Sequence, residues 1–260
     1  MASQESDPTE TRRAGGGSGS TLSVVIPCFN EEKNLALLVN RTNQAVGGEG
    51  IPGEIVLVND GSRDATGAMI DSLSKQFQNV RAVHHPVNRG IVEGWRSGLA
   101  ASSGEWVLTT DADLQYAPED IPRLYRAMEE GSWDLVQGWR KDREDPSRTR
   151  ELLSVGLSKM LQWIFSMDLQ DVKSGFVLYR REVFQDILDF EQRYFSFQSL
   201  ITVAAHFKGY KIQQVPIMFH RRHAGESFIQ RPLIFSLKAA SDLPKAFYEY
   251  RIRKRRRKPS

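Results

Sequence analysis

The stretch Trp106-Val107-Leu108-Thr109-Thr110-Asp111-Ala112-Asp113-Leu114-Gln115 decides the fold. It opens as a short apolar run and closes on two carboxylates flanking one alanine. The same pattern occurs twice upstream. Leu22-Ser23-Val24-Val25-Ile26 runs into Pro27-Cys28-Phe29-Asn30-Glu31-Glu32, and Ile55-Val56-Leu57-Val58 runs into Asn59-Asp60-Gly61-Ser62. Short β-branched runs bounded by turn residues read as buried strands. Ligands of an open parallel sheet bind outside the carboxyl ends of its strands, so acidic strand ends are informative by place as well as type.

Helical patterns alternate with these runs. Asp64 reads as the N-cap of a helix presenting Met69, Ile70, Leu73 and Phe77 on one face. Val80 to Val83 reads as a third strand, followed by a helix carrying Trp95 and Leu99. After Pro118, the residues Ile121, Leu124, Tyr125 and Met128 mark another helical face. Leu135-Val136, Phe176 to Tyr179 and Ile212 to Phe219 complete the strands. The alternation predicts a single α/β domain, Rossmann-like, with a mostly parallel sheet flanked by helices and right-handed crossovers. Arg140 to Arg150 reads from its charge as a mobile loop, and a helix with Trp163 and Phe165 follows. Leu233 to Tyr250 reads as a final helix that Pro244 kinks or ends.

Composition narrows the functional classes. The 260 residues hold 35 basic and 32 acidic side chains, a net charge of +3. Seven of the basic residues lie in the last ten, Arg251 to Ser260, and without them the balance is 28 to 32, or −4. The basic character is therefore a property of the tail, and a nucleic-acid groove on the body is not indicated. Cys28 is the single cysteine, so no intrachain disulfide and no multi-cysteine zinc site forms. No apolar run approaches the ~20 residues of a membrane helix, and the polar, acidic N-terminus has no signal-peptide core. Residues 1–20, ending in Gly15-Gly16-Gly17-Ser18-Gly19-Ser20, read as a disordered leader. These features point to a cytoplasmic protein.

Each acidic strand end also has a local reading. Asn30 would cap a helix whose first turn welcomes Glu31 and Glu32, and Asp60-Gly61 would form a turn. Two carboxylates at Asp111 and Asp113 repel one another. A divalent cation removes that cost, and Mg²⁺ or Mn²⁺ takes oxygen ligands while bridging to phosphate oxygens.

Together, Pro27-x-x-Asn30-Glu31, Asn59-Asp60-Gly61-Ser62 and Asp111-x-Asp113 resemble glycosyltransferase family 2, which implies the GT-A fold. Asp113-Leu114-Gln115, Gly138-Trp139-Arg140, Arg150, Ser174-Gly175-Phe176-Val177-Leu178-Tyr179-Arg180 and Arg222 with Gly225-Glu226-Ser227 look like the polyprenyl-phosphate hexosyltransferase branch, home of dolichol-phosphate mannose synthases and undecaprenyl-phosphate sugar transferases. The likeness runs from Leu22 to Phe228. Phe228 stands where such enzymes usually carry Lys or Arg, and Arg231 or Arg221 would have to substitute.

The resemblance implies inverting, metal-dependent transfer of mannose or glucose from GDP-mannose or UDP-glucose to dolichyl or undecaprenyl phosphate. It assigns Pro27, Phe29, Glu31, Val58, Asp60, Asp111, Ala112, Asp113, Gln115, Arg140 and Arg222 to the nucleotide-sugar. Asp111, Asp113 and Gln115 would face Mg²⁺ or Mn²⁺, and Arg140, Arg150 and Ser174 the acceptor phosphate. Asp113, Arg140 and Arg150 carry the catalytic expectation. The implied organisation is leader 1–20, GT-A domain 21–230, a C-terminal helix over 231–250 and a basic tail over 251–260. That helix and tail are read as apposed to an anionic membrane surface at its cytoplasmic face, with room for a membrane-embedded partner subunit. Two alternatives stand beside this reading. One is a family 2 transferase with a saccharide or protein acceptor, for which Asp171 is the one candidate base. The other is a non-enzymatic adaptor using the tail.

Overall fold

The computed structural model describes residues 21–144, 148–190, 194–195, 197–225 and 232–252. Seven strands are β1 (Leu22–Cys28), β2 (Gly53–Asp60), β3 (Val80–His85), β4 (Trp106–Thr109), β5 (Leu135–Arg143), β6 (Val177–Arg180) and β7 (Ile212–Phe219). They form one sheet in the order β3-β2-β1-β4-β6-β5-β7. All neighbours are parallel except β6, which runs antiparallel to both β4 and β5. The α/β expectation of a mostly parallel sheet therefore holds.

Among the described residues nine α-helices pack around it: α1 (Leu35–Gly48), α2 (Thr66–Gln76), α3 (Ile91–Ala101), α4 (Ile121–Glu130), α5 (Arg148–Phe165), α6 (Arg181–Leu188), α7 (Ile201–Phe207), α8 (Pro232–Ala240) and α9 (Leu243–Phe247). Side chains alternate across a strand, and both faces of this sheet are covered. Val24, Ile26 and Leu57 join Leu35, Leu38, Ile70 and Leu124 in one core layer. Val25, Val56 and Val107 join Trp95, Phe165, Ile187 and Val203 in the other. Double coverage is why these strands read as continuous apolar runs.

Several expectations are corrected. Asn30 caps no helix: α1 begins at Leu35, and Asn30 sits in the left-handed region at φ 57°. Asp64 lies one residue before the N-cap Ala65 of α2, yet its carboxylate accepts the Thr66 N–H at 3.0 Å. The charged stretch from Arg140 is not a loop throughout. β5 continues to Arg143 because β7 pairs with it through Arg143 opposite Phe219, and α5 starts at Arg148. Tertiary pairing here overrides composition. The expected single C-terminal helix breaks at Ser241-Asp242, and Pro244 falls in the first turn of α9, where a missing N–H is harmless. A turn of π-helix, Tyr248–Ile252, follows. The leader 1–20, residues 145–147, Phe228, Arg231 and tail residues 253–260 lie outside the described residues.

Helix α3 lies against β1 at Gly98, where an added Cβ would come within 2.3 Å of Val25 Cγ1 and 3.3 Å of Val58 Cγ2. Gly98→Ala gains about 1 kcal/mol of helix propensity but overpacks a closed core, at roughly 1–3 kcal/mol. Denaturant unfolding of the variant is expected to show a net loss of up to about 2 kcal/mol; a gain in stability would contradict this packing.

Candidate active site

The first two acidic strand ends are stitched to each other. The Asn30 N–H donates to Ser62 Oγ at 3.0 Å, and Asn30 Oδ1 accepts the Arg63 N–H at 2.8 Å. The Glu31 N–H donates to Thr66 Oγ1 at 2.8 Å, and Glu32 Oε2 accepts the Ala65 N–H at 2.8 Å. A cavity opens beside this seam, lined by Asn30, Glu31, Glu32, Lys33, Asn34, Asp64 and Gly225.

Asp60 is buried, and both its oxygens are engaged internally. Oδ1 meets His85 Nδ1 and accepts the Arg89 N–H, and Oδ2 accepts the Gly90 N–H, each at 2.8 Å. His85 Nε2 in turn meets Ser97 Oγ at 2.8 Å. The carboxylate assigned to the nucleotide thus builds the loop after β3. Gly61, at φ 67°, allows this approach, since a Cβ there would lie 2.3 Å from the Val87 carbonyl carbon.

At the end of β4, Leu114 takes φ 62°, a conformation that costs a branched residue roughly 1–2 kcal/mol. The turn buries Leu114 in the core and lets Asp113 Oδ1 accept the Gln115 N–H at 3.0 Å. Asp113 Oδ2 pairs with Arg222 Nη2 at 2.7 Å, and Arg222 Nη1 pairs with Glu31 at 2.9 Å. Glu31 also accepts from Asn34 Nδ2. Burial raises the Glu31 carboxyl above its ordinary range, aided by the Asp113 charge. Asp111 accepts no hydrogen bond or ion pair at its carboxylate among the described residues. Burial, and then the Asp113 charge, push it up to about 7, against Arg140 and Arg222.

No group of three or more His, Cys, Asp or Glu side chains cages an ion among the described residues. Mg²⁺ sites commonly use one or two carboxylates and leave the other positions to water and substrate phosphates. Asp111, raised by burial and then by the Asp113 charge and with no hydrogen-bond or ion-pair partner for its carboxylate among the described residues, fits that donor set with Asp113. Gln115 spends its Nε2 on the His220 carbonyl at 3.3 Å.

The basic side is built from β5 and the segment before β6. Arg140 forms a two-pronged pair with Asp171, Nε to Oδ2 at 2.6 Å and Nη2 to Oδ1 at 3.0 Å. Asp171 Oδ1 also accepts the Lys173 N–H at 3.0 Å. Burial pushes the Asp171 carboxyl upward, and Arg140 with that N–H more than offsets it, holding the group below the carboxylate range. Asp171, the one base considered for a hydroxyl acceptor, is therefore a structural anion. Burial and the Arg140 charge bring the Lys173 ammonium down to about 7, against Asp171.

The other expected residues separate. Pro27 and Phe29 are half-buried beside the first acidic end. Val58 and Ala112 are buried, Val58 in the second core layer and Ala112 in the first. Ser174, expected at the acceptor phosphate, is fully buried; its Oγ faces Tyr116 Oη at 3.5 Å and accepts the Phe176 N–H at 3.4 Å. It shapes the wall and has no surface to offer an acceptor. Arg150 lies in the first turn of α5, and its side chain is outside what is described. Sequence reading missed His85, Lys173 and Tyr116. Tyr116 stacks on Phe176 with ring centroids 5.3 Å apart and accepts the Gly175 N–H at 3.1 Å. Its adjacency to Gln115 was the available signal.

The doubly covered sheet with its acidic strand ends has the architecture of the GT-A fold. The family model "Glycosyl transferase family 2" matches residues 23–188, and the chain belongs to that family. Curated relatives include undecaprenyl-phosphate 4-deoxy-4-formamido-L-arabinose transferases of Serratia proteamaculans and Klebsiella pneumoniae, 33% and 31% identical over 207 residues. These alignments cover 79% of this chain, which spans 62% of each relative's length. Among solved structures, glucosyl-3-phosphoglycerate synthase from Mycobacterium tuberculosis with Mn²⁺, UDP and phosphoglyceric acid aligns with TM-score 0.67 at 20% identity, over 88% of this chain and 78% of that one. Its complex with Mg²⁺ and UDP aligns with TM-score 0.65 at 21% identity, over 88% and 79%.

Asp171→Asn would leave the buried Arg140 guanidinium without its anion, and stability is expected to fall by about 3–5 kcal/mol. A carboxyl held low when folded contributes stability that is full above its unfolded value near 4 and is lost as pH falls through the lowered folded value. The stability gap between wild type and variant should accordingly begin to narrow below about pH 5 and go on narrowing below about pH 3; a gap independent of pH would contradict the ion pair.

Proposed function

We propose that this chain transfers a sugar, with inversion, from a nucleotide-sugar to a polyprenyl phosphate. The observation that carries this reading is the juxtaposition of the Asp111–Asp113 pair with the cations around Asp171. Asp111 Oδ1 lies beside Gly175, in the segment that also carries Asp171, where a Cβ would come 3.9 Å from it, and the Arg140 charge acts on the Asp111 carboxyl.

Asp111 and Asp113 would hold Mg²⁺ or Mn²⁺ with the donor diphosphate, and the bound ion supplies charge neutralisation of the departing nucleoside diphosphate. Arg222, now spanning Glu31 and Asp113, stands where it can turn to that diphosphate; a guanidinium binds phosphate through two parallel hydrogen bonds. An acceptor phosphate oxygen forms the bond to C1 while the C1–O bond to the diphosphate breaks, and the electron pair leaves with the diphosphate. A phosphate oxygen is already anionic, so no proton needs removing. The engagement of Asp171 by Arg140 favours this over a saccharide or protein hydroxyl acceptor, which would want a free base.

The relatives named for undecaprenyl phosphate support the lipid side, and the neighbour bound to UDP supports a nucleotide donor. Mannose and dolichol have no counterpart among these relatives, so 4-deoxy-4-formamido-L-arabinose joins glucose and mannose among the sugars to test. No helix among the described residues is long and apolar enough to cross a membrane. Ile234 and Leu237 are exposed one turn apart on α8, and Trp163 is 82% exposed on the α5 helix that packs against it. With the basic tail, these residues support peripheral attachment to an anionic membrane, expected at its cytoplasmic face.

Radiolabelled donor, offered with undecaprenyl phosphate and Mg²⁺ or Mn²⁺, should deliver label to the organic phase, and EDTA should stop it. Asp113→Asn should lower kcat by about 10³ or more while the protein stays folded. Label transfer that resists EDTA, or full activity in the variant, would overturn the reading.

A further inference from the structure

Asp113 commits each of its oxygens to a different partner. Oδ1 accepts the Gln115 N–H at 3.0 Å, and Oδ2 pairs with Arg222 Nη2 at 2.7 Å. The other arm of the same guanidinium, Nη1, pairs with Glu31 at 2.9 Å. One arginine thus spans two acids that come from different strand ends. A divalent ion on Asp113 would take the oxygen that Arg222 holds, because Oδ1 already faces the Gln115 N–H. Two cations on one oxygen would stand within ~4–6 Å of each other as like charges, so ion and guanidinium exclude one another there. The backbone around Arg222 is fastened to the site. The His220 N–H donates to the Gln115 carbonyl at 2.9 Å, the His223 N–H to the Asp113 carbonyl at 3.2 Å, and the Ala224 carbonyl accepts from Asn34 Nδ2 at 3.2 Å. The Arg222 side chain keeps 21% exposure. Its guanidinium can therefore turn toward water while the segment that carries it stays where it is.

We propose that Arg222 is a stand-in cation, whose guanidinium holds Asp113 and Glu31 in place of the divalent ion, yields Asp113 Oδ2 to that ion and turns to the nucleoside diphosphate. The inference rests on the metal and diphosphate reading above and adds a competition that links the two ligands. A bare ion must displace a paired guanidinium that has no other anion to take. A diphosphate offers that guanidinium two oxygens in its own fork geometry. Ion and diphosphate therefore bind with positive coupling, by the same factor whichever binds first.

The test is Mn²⁺ binding to the full chain, read from the EPR signal of the free ion, with and without saturating UDP. The Mn²⁺–UDP complex formed in buffer is accounted for, and GDP is run in parallel. Arg222→Gln should bind bare Mn²⁺ about 10-fold more tightly than wild type, and the gain in Mn²⁺ affinity brought by the nucleotide should shrink by a similar factor. Arg222→Lys keeps a cation but cannot span both carboxylates. It should move both quantities the same way by less, and it serves if the glutamine variant does not fold. Unchanged bare-ion affinity in a folded variant would overturn the stand-in. So would a rise that is equal with and without nucleotide, since that is the signature of a fixed neighbouring charge. Equal Mn²⁺ binding by wild type and Asp113→Asn in the presence of nucleotide would instead overturn the metal reading on which the inference rests.

Discussion

Buried carboxylates at one edge of the sheet are the constraint on which the rest of the site depends. Glu31, Asp60, Asp113 and Asp171 all lie at or beside strand ends with little access to water. An ion taken out of water costs several kcal/mol unless it is paired and hydrogen-bonded. Each of these four has therefore drawn in a partner from elsewhere in the chain. Arg222 comes from the segment after β7 to reach Glu31 and Asp113. His85 and the Arg89 and Gly90 N–H groups close on Asp60. The path of the segment after β7 follows from the same demand, since the His220 and His223 N–H groups donate to the carbonyls of Gln115 and Asp113, and Asn34 Nδ2 donates to the Ala224 carbonyl. Asp111 is the exception. Its carboxylate faces Gly175, where a Cβ would come 3.9 Å from Oδ1, and its charge is opposed by Asp113. A site that satisfies every other acid and leaves one raised beside a second has the electrostatics of a cation site completed by its substrate.

How much of this was legible in the sequence divides along a physical line. Strands buried on both faces are unmistakable apolar runs, and the acidic residues that end them are local to those runs. Partners are not local. Nothing near Arg140 announces Asp171, and nothing near Asp60 announces His85, because both pairings form only when segments distant in the sequence come together in the fold. The same applies to the charged segment after Trp139. Its composition belongs to a loop, but β7 offers it a parallel ladder of hydrogen bonds through Arg143, and the ladder wins. Helix α6 starts at Arg181, directly after β6 ends at Arg180, so no turn residue marks the change of period. Ser174 fails for another reason. The family resemblance places it at an acceptor phosphate, whereas its Oγ faces Tyr116 Oη and the residue is fully buried.

The site has a polarity of charge, acidic along β1 and β4 and basic along β5 and before β6. Under the transfer proposed above, that polarity does the sorting. The acidic half repels any phosphate that arrives without a cation, so it admits a metal-bound diphosphate and refuses a bare monoester. The basic half has the reverse preference. The Arg140–Asp171 pair lies where the halves meet, and its role follows from what it removes. A loose carboxylate there would act as a base toward hydroxyl acceptors and would repel phosphate. Held in the guanidinium fork it does neither. A phosphate oxygen needs no base, only a fixed seat and a route to C1. Engagement of Asp171, the base candidate on this wall among the described residues, is thus compatible with an acceptor already carrying its nucleophilic charge.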